Sequence, residues 1–156
     1  MGIGIDDLLS VNNCNFGDFV NEIYPPELEL KNTTVNPTET SYLDTTINIG
    51  NGTEGVKTSI YDKREDFNFK IVNFPYLDSN IPKNPAYGVY ISQLVRYTRV
   101  CSDKSEFKAR NRRLSTKLEK QGFRKKILNK TFVKFYRRHY DEVRKYGATI
   151  KELGEF

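Results

Sequence analysis

The chain has 156 residues, of which 37% are hydrophobic and 29% are charged, and its formal net charge is +5. No apolar run approaches the roughly 20 residues of a membrane-spanning helix, and Cys14 and Cys101 are too few and too far apart for a disulfide framework or a zinc site. With no recognisable signal peptide, the sequence predicts an intracellular protein, nuclear or cytoplasmic, that forms one domain or two small ones.

Two adjacent carboxylates, Asp6 and Asp7, lie between short runs of Ile, Leu and Val near the start of the chain. Such runs predict two strands with the acidic pair at the turn between them. Carboxylates exposed at a turn are the usual protein ligands of Mg²⁺ in phosphoryl-transfer sites. The alternative reading of the same residues is that Asp6 caps a short helix through Leu8 and Leu9.

The next part of the chain predicts one helix and several strands. Apolar residues recur with helical spacing over residues 16–24, and two prolines end that helix. Alternating apolar residues predict a hairpin over residues 42–61, with its turn at residues 51–52, where Asn and Gly tolerate positive φ. A third strand is predicted over residues 67–72.

From Ala86 onward the periodicity is that of helices, and three are predicted. Ser102 or Asp103 is the predicted cap of the second helix, and the third ends at Gly147. The only histidine, His139, lies on the apolar face of the third helix. We interpret it as a packing residue or a polar edge, because no second His or Cys is spaced to share a metal with it.

The charge is divided unevenly between the two parts of the chain. Residues 1–90 contain 6 Lys+Arg and 13 Asp+Glu, a net charge of −7, whereas residues 91–156 contain 19 Lys+Arg and 7 Asp+Glu, a net charge of +12. Such a split is typical of a polyanion-binding C-terminal part. The alternative is an ordinary set of solvated helix faces, but the size of the imbalance favours nucleic-acid contact.

The predicted fold class is therefore α+β, with a small antiparallel β part and one helix followed by a basic three-helix bundle. We place the β part in residues 1–85 and the helical domain in residues 86–147. Residues 148–156 are predicted to be a frayed tail.

Several segments, in order along the chain, resemble one family of enzymes. IDDLLSVNN, over residues 5–13, resembles the third palm motif of reverse transcriptases, and SYLDTTINI, over residues 41–49, resembles the strands that follow the palm. YDKREDFNFKIVNFPYLDSNIP, over residues 61–82, is similar to the same group of sequences. YGVYISQLVRYTRVCSDKSEF, over residues 87–107, resembles the beginning of the thumb in animal retroelement enzymes of the Penelope-like or a related non-LTR type.

The resemblance implies a fragment of an RNA-directed DNA polymerase, with the end of the palm in residues 1–85 and the thumb in residues 86–147. It implies that Asp6 and Asp7 are catalytic and bind the catalytic Mg²⁺ ions. Gly4 departs from the pattern, because the family has an aromatic residue before the pair. The fingers and the first palm carboxylate lie upstream of Met1 in the family. We therefore expect the isolated chain to be inactive, with Mg²⁺ bound only in the complete enzyme and the upstream palm and fingers as its partner there.

A thumb holds the template–primer duplex by its backbone, so the implied partners are an RNA template and an RNA–DNA hybrid or duplex. The predicted nucleic-acid-binding residues are Arg96, Arg99, Arg110, Arg112, Arg113 and Lys117, several of which are one helical turn apart. The more dispersed cations that follow are predicted to be a solvated surface: Lys125, Lys126, Lys130, Arg137 and Arg138. The alternative functions are a non-enzymatic basic nucleic-acid-binding module and an element remnant without function.

Overall fold

A computed structural model describes residues 8–34, 36–50, 55–69, 71–72 and 74–154. A small three-stranded antiparallel sheet is followed by a set of packed helices, which confirms the predicted α+β class. The elements are, in chain order, α1 (Phe16–Ile23), β1 (Glu39–Tyr42), β2 (Thr45–Asn48), β3 (Lys57–Ile60), a 3-10 helix (Lys63–Asp66), α2 (Lys83–Val100), α3 (Lys104–Lys120), α4 (Lys125–Arg138), α5 (Tyr140–Val143), a second 3-10 helix (Arg144–Tyr146) and α6 (Ile150–Leu153). None of the described helices is long and apolar enough to cross a membrane.

Helix α1 was predicted from its apolar spacing and is found, with Tyr24 at its C-cap directly before the two prolines. It is amphipathic, yet none of its residues is buried. Residues 8–11 form neither strand nor helix, so the second strand predicted beside the acidic pair is not formed there. Asp6 and Asp7 themselves lie outside the described residues.

The sheet contains the predicted hairpin together with one unpredicted strand. Strands β2 and β3 pair antiparallel with Asn48 opposite Lys57, and the predicted turn at residues 51–52 lies outside the described residues. The unpredicted strand, β1, pairs with β2 through a two-residue turn at Leu43 and Asp44. Leu43 has a φ of +53°, and because leucine is rare in that region the turn carried no recognisable sequence signal.

The strand predicted over residues 67–72 was wrong for the part that the structure describes. A 3-10 helix precedes it instead, and the Asp62 side chain caps that helix by accepting from the Arg64 N–H. The free edge of β3 is already occupied: Ser102 N–H donates to the Thr58 carbonyl at 2.9 Å, and Thr58 N–H donates to Ser102 Oγ at 2.9 Å. A fourth strand has no open edge there.

The hydrophobic core lies between α2, α3 and α4, and its apolar stripes are those that the periodicity predicted. Its most deeply buried large side chains, with at most 2% exposed, include Tyr90, Leu94, Phe107, Leu118, Leu128, Phe132 and Phe135. Ile60 of β3 and Leu77 of the following segment belong to the same cluster. The domain boundary after residue 85 stays a prediction, with one core extending across it.

The last part of the chain differs from the prediction in two ways. Helix α4 ends at Arg138, and the chain leaves regular helical geometry at His139, whose ring stacks on Phe135 at 5.5 Å. The tail predicted to fray over residues 148–156 instead forms α6 in its described part, where Thr149 and Glu152 make a reciprocal capping box. Leu153 is fully buried, and its carbonyl accepts a hydrogen bond from Asn111 Nδ2 at 3.1 Å. This internal contact holds the tail against α3.

Candidate nucleic-acid interface

Asp6 and Asp7, predicted to be catalytic and to bind Mg²⁺, lie outside the described residues, and their role stays a prediction. Within residues 8–34, 36–50, 55–69, 71–72 and 74–154, no group of three or more His, Cys, Asp or Glu side chains is placed to hold a metal ion.

The two predicted contact residues of α2 each have an internal carboxylate partner. Arg96 Nε lies 2.8 Å from Asp44 Oδ2, which fixes the β1–β2 turn against α2. Arg99 Nη2 lies 3.4 Å from Glu142 Oε1 of α5, and the arginine side chain is 67% exposed. They are one turn apart on the helix, as predicted, but each is directed at a different part of the fold.

Arg110 of α3 connects three elements of the structure. Its Nε lies 2.8 Å from Glu106 Oε1, its Nη1 lies 2.9 Å from Glu65 Oε1, and its Nη2 donates to the Ile60 carbonyl at 2.8 Å. Only 13% of the side chain is exposed. Burial acts to lower the pKa of Arg110, but the hydrogen bond to Glu106 and the charge of Glu65 outweigh burial and raise it. Arg110 has the surroundings of a structural ion pair.

The other predicted residues of α3 are more open. Arg113 Nη1 lies 3.8 Å from Glu65 Oε1, with 68% of its side chain exposed. Lys117 Nζ lies 5.9 Å from the centre of the Phe74 ring. Arg112 is exposed and forms no ion pair with another described residue. The six predicted residues thus have different surroundings. Arg96 and Arg99 pair with carboxylates on different elements, whereas Arg110, which is mostly buried, and Arg113 both approach Glu65 Oε1.

A more continuous basic surface lies on α4. We call it the basic face of α4 and define it by Lys126, Lys130, Lys134, Arg137 and Arg138. All five side chains are exposed, and none forms an ion pair with a residue in the part of the chain that the structure describes. Four of the five cations, together with Val133, line an open concavity of about 490 Å³.

The basic face of α4 is electrostatically unfavourable for the helix that carries it. Lys126, Lys130, Lys134 and Arg138 follow one another at i, i+4 spacing, where like charges repel. The α4 sequence KKILNKTFVKFYRR contains no acidic residue to relieve that repulsion. Its first turn is also basic and has no side-chain cap, although the helix dipole favours negative charge there. These features give the surface a strong, uncompensated positive potential.

Sequence reasoning treated most of these α4 cations as a dispersed solvated surface and did not single out Lys134. The available signal was their i, i+4 recurrence on a helix without Asp or Glu. Two of the carboxylates that pair with α2 and α3, Asp44 and Glu65, are distant from them in sequence. The sequence alone therefore did not indicate which cations have partners.

Neither the family models, nor the curated proteins, nor the solved structures include a match to this chain.

Proposed function

We propose that this chain binds nucleic acid through backbone phosphates along the basic face of α4, as the thumb-like part of a reverse transcriptase. The observation that supports it is the row of exposed α4 cations without acidic partners among the described residues. Phosphate contacts carry little base information. Binding should therefore be strong at low salt and nearly independent of base sequence.

The dimensions of the basic face suit a nucleic-acid strand. From Lys126 to Arg138 the helix rises about 18 Å, at 1.5 Å per residue. Phosphates recur every 3.4 Å along the axis of one DNA strand, so about five of them lie within that length. A polyanion placed along this face would relieve the like-charge repulsion that α4 otherwise retains.

The reverse transcriptase assignment rests on the ordered sequence resemblance, including the acidic pair at residues 6 and 7. In such an enzyme Asp6 and Asp7 would hold Mg²⁺ for phosphoryl transfer, and the basic helices would hold the template–primer duplex. An Asp6→Ala change should then abolish primer extension by a complete enzyme and leave duplex binding by the basic face intact. Loss of both properties would contradict this division of roles.

A salt titration tests the proposed interface. We would compare the wild type with a variant carrying Lys130→Gln, Lys134→Gln and Arg137→Gln, using fluorescence anisotropy on an RNA–DNA hybrid. Each phosphate contact contributes about −0.9 to the slope of log K against log salt, so the variant's slope should be shallower by about two to three. Its affinity at low salt should fall alike on hybrids of unrelated sequence.

The matched control removes three exposed lysines elsewhere: Lys63→Gln, Lys83→Gln and Lys151→Gln. This control variant loses the same net charge, so a general electrostatic effect would change both variants equally. An unchanged slope in the α4 variant, or equal losses in both variants, would refute the proposed interface. If replacing Arg96, Arg99, Arg113 and Lys117 by Ala flattens the slope instead, the contact lies on α2 and α3.

A further inference from the structure

The helical part of the molecule leaves few large hydrophobic side chains open to solvent. Of those that the structure describes in residues 83–154, only Ile127 and Tyr140 are exposed, at 36% and 52%. Ile127 lies near the start of α4 and Tyr140 follows its end. The two apolar exceptions of the helical part therefore lie at the two ends of the helix that carries the basic face.

The ring of Tyr140 is supported from one side by a second tyrosine. Its centre lies 5.8 Å from that of Tyr136, with an interplanar angle of 62°. The Tyr136 hydroxyl donates to the Ala148 carbonyl at 3.1 Å, and the side chain of Tyr136 packs against the core. Tyr140 is thus oriented by a fixed neighbour while half of its surface stays open.

Tyr140 is also close in sequence to the last cations of the basic face. It follows Arg137 by three residues and Arg138 by two, after the single irregular residue His139. Hydrogen bonds from His139 N–H to the Phe135 carbonyl and from Val143 N–H to the His139 carbonyl keep the helical i, i+4 pattern on both sides of that residue. An exposed aromatic ring therefore lies about one turn beyond Arg137.

We propose that Tyr140 is a stacking site for an unpaired base, and that the ligand of this end of the basic face is single-stranded nucleic acid. This inference rests on the proposed function, because the strand must first be held by its phosphates on α4. A positively charged track combined with an aromatic ring is how proteins bind single strands without reading sequence. In a duplex the base faces are covered by their neighbours, so Tyr140 has no base face to contact along it.

The test uses fluorescence anisotropy with three probes: a single strand, the same sequence as a duplex, and a single strand with abasic sites. Tyr140→Ala should weaken single-strand binding by about five-fold or more, the effect of losing one stacked base. Duplex binding should change by less than about two-fold. Tyr140→Phe, which keeps the ring, should bind like the wild type, and Phe19→Ala removes an equally exposed aromatic side chain on α1 as a matched control.

The abasic probe makes the test independent of folding defects. The wild type should lose affinity for the abasic strand, whereas Tyr140→Ala should bind the intact and abasic strands equally. The stacking site is wrong if Tyr140→Ala weakens single strand and duplex alike, or if the wild type binds both single strands equally. Failure of the proposed function has a different signature: the wild type would then bind no probe better than the variant with Gln at positions 130, 134 and 137.

Discussion

Helices α3 and α4 are similarly rich in basic residues, but the structure uses their charges differently. The α3 sequence contains seven Lys and Arg and the α4 sequence contains six. On α3, Arg110 is mostly buried between Glu106 and Glu65. On α4, the basic face has no acidic partner among the described residues. Net charge therefore does not identify a binding surface, because the position of the carboxylates decides which cations are available.

The same comparison gives a reason for the charge asymmetry of the sequence. Acidic residues of the first 90 positions reach the helices through the sheet and the segment after it: Asp44 pairs with Arg96, and Glu65 pairs with Arg110. The excess positive charge of the C-terminal part is thus partly neutralised on α2 and α3. On α4, by contrast, none of the six cations forms an ion pair with another described residue.

The largest expected loss of stability follows replacement of Arg110, whose side chain is mostly buried. Arg110→Ala should lower the free energy of unfolding by about 2–3 kcal/mol. It leaves Glu106 and the Ile60 carbonyl without this donor, and Glu65 keeps only its longer contact with Arg113. The value is reduced from that of a fully buried pair because Glu65 is half exposed. Urea denaturation monitored by circular dichroism measures it.

Arg112→Ala is the matched control, since Arg112 is on the same helix, exposed and without an ion pair to another described residue. Its free energy of unfolding should stay within about 0.5 kcal/mol of the wild type. Equal destabilisation by the two changes would mean that the contacts of Arg110 do not connect α3 to the sheet.

The features that the sequence predicted correctly depend on local patterns. The helical stripe of α2, with buried Tyr90 and Leu94, follows from spacing alone. The Asp103 cap of α3 is one of the two residues expected, and its carboxylate accepts from Ser105 N–H at 2.9 Å. Gly147, where the third helix was predicted to end, ends the 3-10 helix Arg144–Tyr146 with a φ of +56°, as a glycine at that position allows.

The features that were missed depend on contacts between residues far apart in the chain. Strand β1 follows a turn whose first residue is Leu43, which carries no turn signature. The tail is ordered by Asn111, 42 residues away in sequence. Two ion pairs of the predicted contact residues, Arg96 with Asp44 and Arg110 with Glu65, also join residues far apart in the chain, so the sequence did not reveal them.

An intermediate loss of stability is expected when Asp103, the acidic N-cap of α3, is replaced. The hydrogen bond from Ser105 holds the pKa of the Asp103 carboxyl below its usual range. Because the folded pKa is depressed, the stabilisation is present above the unfolded pKa of about 4 and is lost as the pH falls through the folded value. Asp103→Ala should therefore cost about 1 kcal/mol at neutral pH, the usual worth of an N-cap, and less near pH 3.

Asp103→Asn separates the cap from its ionisation. Asparagine caps helices about as well as aspartate but does not titrate, so this variant should be close to the wild type at neutral pH and show a weaker pH dependence. Thermal melting at several pH values measures both variants. A cost for Asp103→Ala that is the same at pH 3 and pH 7 would contradict the role of the ionised carboxylate.

The smallest expected effect is a gain in stability, and it concerns the basic face of α4. The variant with Lys130→Gln, Lys134→Gln and Arg137→Gln loses the like-charge i, i+4 pairs Lys126–Lys130, Lys130–Lys134 and Lys134–Arg138, all through its changes at Lys130 and Lys134. Its free energy of unfolding should rise by about 0.5–1 kcal/mol at low salt. Glutamine and lysine have similar helix propensities, so the gain is electrostatic. It should fade near 1 M salt, where the screening length is about 3 Å.

The Lys63, Lys83 and Lys151 control loses the same net charge without removing that row, and its gain in the free energy of unfolding should be smaller. Destabilisation of the α4 variant would mean that these side chains support the fold, and the contrast between α3 and α4 would then disappear.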